Sequence, residues 1–179
     1  YTFNANDIVG DGFSPFQLTG SFLNCEFEDE NYFSDLVDTT GISMAIILSD
    51  SITNLDIGDE IGVFDYNGRV SNGEECLNID GEVLVGVDVW NQNQLIITAW
   101  SYIDWCNFED GYELSGFIEN NPIKLKIWDI SEQTEYDASF IISEGSPNFQ
   151  ETSFVVISDI CNGEYDECNV CNGNNADQD

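Results

Sequence analysis

Apolar side chains in this chain occur in short segments that are separated by clusters of Gly, Asn, Asp and Ser. Short strands at regular spacing, with turn residues between them, are typical of β-sandwiches and jelly rolls. The pattern therefore predicts an all-β domain, a sandwich or jelly-roll-like fold of about eight strands, with one short helical turn at residues 31–37. The eight strand-length segments are residues 16–27, 42–49, 60–66, 83–90, 95–102, 123–129, 136–143 and 153–158.

A first hairpin is predicted from residues 83–90 and 95–102, which flank a polar loop of four residues. A loop of that length would pair Trp90 with Leu95. Both faces of the two segments are largely apolar, which is typical of central strands that are covered on both sides.

A second hairpin is predicted from residues 123–129 and 136–143, with Ile123, Leu125 and Ile127 on one face. The other face of that strand carries Lys124, Lys126 and Trp128. One interpretation is that the lysines protect an edge strand from mispairing while Trp128 lies under a loop. The other is a contact surface for an acidic neighbouring subunit or for a sugar ring.

Charge narrows the range of partners. The chain has 35 acidic and only three basic residues, so its formal net charge is −32. Such a charge repels nucleic acid and anionic lipid, and it opposes compaction unless salt or bound cations offset it. The sequence thus indicates a saline medium that contains calcium, and the alternative interpretation is a halophile. With no apolar run of 18 residues, membrane insertion is not expected.

Six cysteines in a short acidic chain favour an oxidising, extracellular compartment. Cys76 and Cys106 lie just outside the first predicted hairpin, so we expect them to pair. Cys161 is expected to pair within the C-terminal tail, with Cys168 or Cys171. Cys25 would then tie the tail to the body of the domain.

The chain divides into three predicted regions: an N-terminal arm at residues 1–14, a sandwich domain at 15–160 and a Cys-rich acidic tail at 161–179. The tail has almost no apolar residue, so its order must come from disulfides, ions or a neighbour. In the arm, Tyr1 and Phe3 alternate with polar residues as an added strand would. The arm would either complete the open sheet edge of a neighbouring subunit or form the first strand of its own sheet.

Several acidic loops are candidate calcium sites, because calcium takes six to eight oxygen ligands from carboxylates, amides and carbonyls. From the loops, the candidate ligands are Asp7, Asp11, Asp65 and Asn67. Each such loop is also ordinary turn chemistry.

The tail resembles the start of a thrombospondin type 3 calcium repeat, and the Asp-x-Cys and Cys-Asn-Gly repeats near the ends of secreted bacterial proteins. The resemblance lies in the string from Cys161 to Asp179. It implies that Asp166, Asp177 and Asp179 bind calcium; the alternative is a solvated acidic tail. The adjacent Glu167 is a further candidate ligand. Residues 58–65, 84–86 and 123–129 resemble a β module of large secreted proteins from marine bacteria, which implies an extracellular module without an assigned activity.

The absence of His disfavours catalysis, because the commonest general base and His-ligated metals are missing. It also disfavours a zinc site at Cys168 and Cys171. Glycoside hydrolysis needs only two carboxylates, but no pair is singled out. We therefore expect a non-enzymatic, calcium-dependent structural or adhesive protein of the cell surface or extracellular space, which associates with itself or with other surface proteins. The alternative is a carbohydrate-binding module that uses Trp90, Trp100, Trp105 or Trp128.

Overall fold

Strands form where β-branched and aromatic residues cluster, and they account for all the regular structure that is described. A computed structural model describes residues 31–173, which belong to one compact unit, Asn31–Asp179. Within 31–173 there is no helix, so the predicted helical turn at residues 31–37 is wrong and the predicted all-β fold is confirmed. Seven of the eight predicted segments contain a strand, and the eighth, 16–27, lies outside the described residues. The strands are β1 (Ser43–Leu48), β2 (Glu60–Arg69), β3 (Asp80–Val89), β4 (Leu95–Trp100), β5 (Ile103–Asp104), β6 (Glu113–Leu114), β7 (Lys124–Asp129), β8 (Thr134–Glu144) and β9 (Phe154–Asn162).

Seven of these strands form one sheet in the order β3-β2-β7-β8-β9-β1-β4, and β5 pairs with β6 in a second, small sheet. All neighbours in the large sheet are antiparallel except β1 and β9, which are parallel. Register shifts interrupt the pairing of β2 with β3 and of β8 with β9. Such bulges increase the local bend and twist of a strand, which helps a large sheet to fold over.

The core lies between the two halves of this folded sheet. Inward-facing residues of β1, β4 and β9 belong to the same buried cluster as those of β2, β3 and β7. Loops complete the cluster, because Phe117 and Phe149 stack with ring centroids 4.4 Å apart and Trp90 is completely buried. One core enclosed by both halves makes this a β-sandwich-like fold.

The predicted first hairpin is wrong, because β3 pairs with β2 and β4 pairs with β1. β3 and β4 are the two edges of the large sheet, and residues 90–94 between them connect its two halves. The strands still approach one another. A Cβ on Gly86 would lie 2.9 Å from both the Ile97 side chain and the Thr98 carbonyl oxygen, so only glycine fits there.

The second predicted hairpin is confirmed, since β7 and β8 are antiparallel with Leu125 opposite Ala138 and Ile127 opposite Tyr136. Leu125 and Ile127 are buried, whereas Lys124 is exposed. β7 lies between β2 and β8 in the interior of the sheet. The idea that its lysines protect an edge strand is therefore wrong.

Candidate binding surfaces and the C-terminal disulfide loop

The outer face of the sheet carries an aromatic pair formed within this chain. The rings of Trp128 and Tyr32 stack with centroids 3.9 Å apart and an angle of 6° between their planes. Beside them Phe33 is buried and meets Phe64 edge to face at 5.6 Å. One ring face of Trp128 is thus covered by the segment that precedes β1, as expected for a tryptophan under a loop.

That segment is held in place by Glu60, a buried carboxylate at the start of β2. Its Oε1 accepts a hydrogen bond from the Tyr32 backbone N–H at 2.8 Å, and its Oε2 accepts one from Phe33 at 3.1 Å. Further along, the Val37 N–H donates to the carbonyl oxygen of Leu84 in the edge strand β3 at 3.2 Å. The segment thereby covers part of an edge that would otherwise be unpaired.

Lys126 neutralises carboxylates of its own chain. Its Nζ lies 2.6 Å from Glu82 Oε1 and 3.5 Å from Glu135 Oε1, and it sits over the Phe64 ring at 4.8 Å. Burial alone would lower the pKa of Lys126, but the hydrogen bond that it donates to Glu82 and the charges of Glu135, Glu82 and Asp137 raise it above the ordinary value. The ammonium group therefore stays charged, and carboxylates of the same chain offset most of that charge.

Asp65, a predicted calcium ligand, is buried and accepts hydrogen bonds from three residues. The donors are the backbone N–H groups of Asn67 and Ile118, both at 2.9 Å, and Asn121 Nδ2 at 3.0 and 2.9 Å from the two carboxylate oxygens. The carbonyl oxygen of Asn67 also accepts from Asn121 Nδ2. Asp65 holds the 118–121 loop, and a metal ion would have to displace these donors. The expected loop position of Asp65 and Asn67 is wrong, because β2 continues through a bulge to Arg69.

Asp59 has a similar role at the entrance to β2. Its side chain is 3% exposed and accepts hydrogen bonds from the backbone N–H groups of Asp56 at 2.8 Å and Ile130 at 3.1 Å. Burial raises the pKa of this carboxyl group, and the backbone hydrogen bonds only partly oppose that effect. Asp59 therefore ties the loop before β2 to the end of β7.

A buried ion pair joins β2 to β6. Arg69 Nη1 lies 3.0 Å from Glu113 Oε2, and Arg69 Nε lies 2.8 Å from Asp80 Oδ1. Glu113 is fully buried, and its Oε1 accepts from the Asn78 N–H at 3.1 Å. Burial raises the pKa of Glu113, but hydrogen bonds from the Ser71 hydroxyl, the Asn78 N–H and Arg69 outweigh it, so its pKa lies below the ordinary value.

Sequence reasoning missed this ion pair. The one available signal was that Arg69 is the single arginine of a chain with 35 acids, so it had to meet carboxylates. Nothing in the local pattern indicated Glu113 as its partner, because β5 and β6 are only two residues long each and were not predicted.

Cys76 and Cys106 form a disulfide with their Cα atoms 5.9 Å apart, as predicted. The expected reason was wrong, since the bond does not close a β3–β4 hairpin. It joins the loop between β2 and β3 to the loop between β5 and β6. Next to it, Gly73 and Glu113 exchange two backbone hydrogen bonds at 2.8 and 3.1 Å.

The C-terminal tail begins within the sheet. Cys161 is buried in β9 and forms a disulfide with Cys171, with Cα atoms 5.5 Å apart, so the predicted pairing within the tail is confirmed. Inside this loop Asp166 Oδ1 accepts from the N–H groups of Cys168 and Val170, both at 2.9 Å. The loop is therefore ordered by hydrogen bonds as well as by its disulfide.

The predicted metal ligands are not brought together in the part of the chain that the structure describes. Across residues 31–173, no group of three or more His, Cys, Asp or Glu is placed to hold a metal ion. Asp65 and Asp166 lie in separate loops, and Glu167 is exposed beside Asp166. The candidates outside the described residues are Asp7, Asp11, Asp177 and Asp179, together with Tyr1, Phe3 and Cys25.

The four tryptophans occupy different environments. Trp90 is completely buried, Trp100 is half-buried, and Trp128 is covered by Tyr32. Trp105 is 46% exposed and meets Tyr112 edge to face at 5.1 Å. Trp90 is therefore closed to a sugar ring, and one face of Trp128 is already occupied.

No protein-family model, curated protein or solved structure matches this chain. The resemblances of the tail and of the core segments to extracellular repeats therefore stay predictions. Among residues 31–173, no helix is long and apolar enough to cross a membrane.

Proposed function

We propose that this protein is a non-catalytic, secreted or cell-surface module with a structural or adhesive role, and that it associates with itself into a fibre or layer when calcium is present. One observation carries the proposal. All four buried carboxylates of the described part hold loops in place, and they are Asp59, Glu60, Asp65 and Glu113. Carboxylates used in this way make a rigid scaffold rather than a reactive site.

The disulfides support the proposed location outside the cell. The two that the described residues contain fix one loop pair and the start of the tail, and structural disulfides persist in oxidising, extracellular-type environments. A rigid module that withstands such an environment suits a structural or adhesive role.

The distribution of charge supports the proposal that self-association needs calcium. Of the three basic side chains, Arg69 and Lys126 are already paired with carboxylates of their own chain. Two subunits of charge −32 that meet therefore have few free cations to offset their repulsion. A divalent cation shared between carboxylates of two subunits offsets two charges at once, and calcium favours oxygen ligands.

The environments of the tryptophans favour this role over carbohydrate binding. A sugar platform needs open aromatic faces, and Trp128, the side chain expected to provide one, is stacked against Tyr32. Trp90 belongs to the core.

Negative-stain electron microscopy tests the proposal. We expect fibres or sheets in millimolar calcium, and dispersed particles in sodium chloride of the same ionic strength. Addition of EGTA should return the assemblies to particles. Dispersed particles in both media would contradict self-association, whereas assemblies in both media would contradict the role of calcium.

A further inference from the structure

The two loops joined by the Cys76–Cys106 disulfide expose large apolar side chains. The described residues contain fourteen exposed large hydrophobic side chains, and five of them lie on these loops and at their ends. Phe108 is 71% exposed, the most of all fourteen. We call this set the stapled-loop surface, and it comprises Val70, Leu77, Ile79, Trp105 and Phe108. The disulfide brings the two loops together, and exposed apolar side chains that are grouped in this way are typical of interaction sites.

The stapled-loop surface is rigid. The disulfide joins the loops, and the N–H groups of Trp105 and Phe108 donate to the carbonyl oxygens of Tyr112 and Trp105, both at 2.9 Å. The Cys106 N–H donates to Asp104 Oδ1 at 2.9 Å. Beneath the loops the buried pair of Arg69 and Glu113 fixes their bases. Because the backbone that carries the aromatic side chains is already held, binding does not have to order the loops first.

The charge around this surface selects the partner. Both loops lack Lys and Arg, and the nearby Arg69 is largely buried and paired. The same loops and their ends carry exposed acids, and they are Glu74, Glu75, Asp104, Glu109 and Asp110. A second copy of this chain, nucleic acid and anionic lipid would all be repelled, whereas a cationic partner would be attracted.

We propose that the stapled-loop surface docks a basic segment of another protein, in which Arg or Lys residues stand beside apolar residues. The apolar residues pack against Trp105 and Phe108. The cations meet the surrounding carboxylates and the faces of the two aromatic rings, where cation–π attraction adds to the ion pairing. Aromatic anchors inside a charged rim are typical of residues that dominate the energy of an interface. This surface does not require the proposed self-association.

Fluorescence polarisation with labelled peptides tests this on the full chain with its disulfides intact, at about 150 mM salt. One 12-residue probe repeats Arg-Leu-Gly, and the comparison probe repeats Arg-Ser-Gly with the same charge. We expect the Arg-Leu-Gly peptide to bind at least tenfold more tightly. Phe108→Ser should remove that preference, whereas the matched control Ile57→Ser should keep it, because Ile57 is 64% exposed on a different loop. The double variant Glu109→Gln, Asp110→Asn should weaken both peptides at least threefold.

Thermal unfolding of each variant checks that it is folded, and an exposed substitution should leave the melting temperature unchanged within about 2 °C. Equal binding of the two peptides, or equal loss of the preference in Phe108→Ser and Ile57→Ser, would overturn the proposal, because the attraction would then be charge alone. Loss of self-association in Phe108→Ser with unchanged peptide binding would also overturn it, since the surface would then join copies of this chain. Electron microscopy in calcium tests the proposed function separately.

Discussion

At the scale of single residues, buried carboxylates hold neighbouring segments of the chain together by accepting hydrogen bonds. Asp65 accepts one hydrogen bond from Asn67 in the same strand and three from the 118–121 loop. Glu60 accepts two from the segment before β1. Hydrogen bonds to a charged acceptor are about twice as strong as those between neutral groups. In a chain with 35 acids, these few carboxylates stabilise the fold while the rest oppose it.

Glu113→Gln should destabilise the protein at neutral pH by about 3 kcal/mol, because it leaves the largely buried Arg69 guanidinium without its buried counter-charge. The pKa of Glu113 is lowered in the folded state. Its contribution to stability is therefore complete above the ordinary pKa of about 4.5 and is lost as the pH falls through the lowered, folded-state pKa. The difference in melting temperature between variant and wild type should be largest near pH 7 and should shrink below about pH 4.5.

Differential scanning fluorimetry between pH 3 and pH 8 measures this difference. Glu119→Gln is the matched control, because Glu119 is exposed nearby, and it should cost less than about 0.5 kcal/mol. The comparison with wild type also cancels Asp59, whose raised pKa acts in the opposite direction. A pH-independent difference for Glu113→Gln would show that its charge has no role.

At the scale of strands and loops, periodicity predicted the positions of strands well and their partners unevenly. The alternation of Leu125 and Ile127 with Lys124 and Lys126 gave both the strand and its buried face correctly. A hairpin with a short loop is a local event, so the pairing of β7 with β8 could also be predicted. The large sheet depends on contacts between distant segments, such as the parallel pair of β1 and β9, that no local pattern contains.

The first hairpin failed for a specific reason. Val83, Leu84 and Val85 are all buried, so β3 looks like a central strand that is covered on both sides. It is an edge strand, and the cover on its outer face comes from Phe33 in the segment before β1. A short polar loop after β3 is compatible with both a hairpin and a connection between the two halves of the sheet.

Prediction of the candidate binding sites was similarly uneven. The Cys76–Cys106 pair could be predicted because both cysteines lie in loops near the same strands. The exposed side chains of Trp105 and Phe108 could not be identified from sequence, because distant contacts decide whether an aromatic residue in a loop is buried. The covering of Trp128 by Tyr32 depends on a separation of 96 residues along the chain, which follows from their numbers.

Removal of the Cys76–Cys106 disulfide should cost about 3–4 kcal/mol, because the bond closes a loop of 31 residues, counting both cysteines of a pair separated by 30. The double variant Cys76→Ser, Cys106→Ser avoids an unpaired thiol. Urea unfolding compares it with wild type, and Ile57→Ser, an exposed substitution that involves no cysteine, is the comparison variant. A double variant as stable as wild type would mean that the hydrogen bonds around Gly73 and Glu113 hold the loops without the disulfide.

The two remaining cysteines, Cys25 and Cys168, predict a third disulfide. Four of the six cysteines are paired within residues 31–173, and Cys168 has no disulfide partner there. We expect Cys168 to pair with Cys25, which lies outside the described residues, so that the tail is tied to the body of the domain. Peptide mapping by mass spectrometry without reduction should identify this pair. Recovery of Cys168 as a free thiol, or of Cys76 or Cys106 joined to the tail, would refute the arrangement.

At the scale of the whole molecule, the net charge of −32 dominates the behaviour. Self-repulsion opposes the folded state and opposes association, and salt screens it over a Debye length of about 8 Å at physiological ionic strength. Bound divalent cations relieve both effects. The proposed calcium dependence therefore has consequences for the stability of a single subunit as well as for assembly.

Calcium should raise the melting temperature of the protein. One site at a hundredfold excess of free calcium over its dissociation constant adds about 2.7 kcal/mol. Thermal unfolding in calcium is compared with magnesium and with sodium chloride at equal ionic strength, so that screening is held constant. A rise with calcium that EGTA reverses is the expected result, and identical melting curves in all three media would exclude calcium as a stabilising ligand.

Sedimentation velocity of the full chain in calcium tests most directly whether this protein is a calcium-dependent structural subunit. Samples in millimolar calcium and in sodium chloride of matched ionic strength are compared over a range of protein concentrations. We predict a monomer of 20.0 kDa in sodium chloride and, in calcium, larger species whose proportion increases with protein concentration and that EGTA dissociates. A monomer at every concentration in both media would contradict the proposed function.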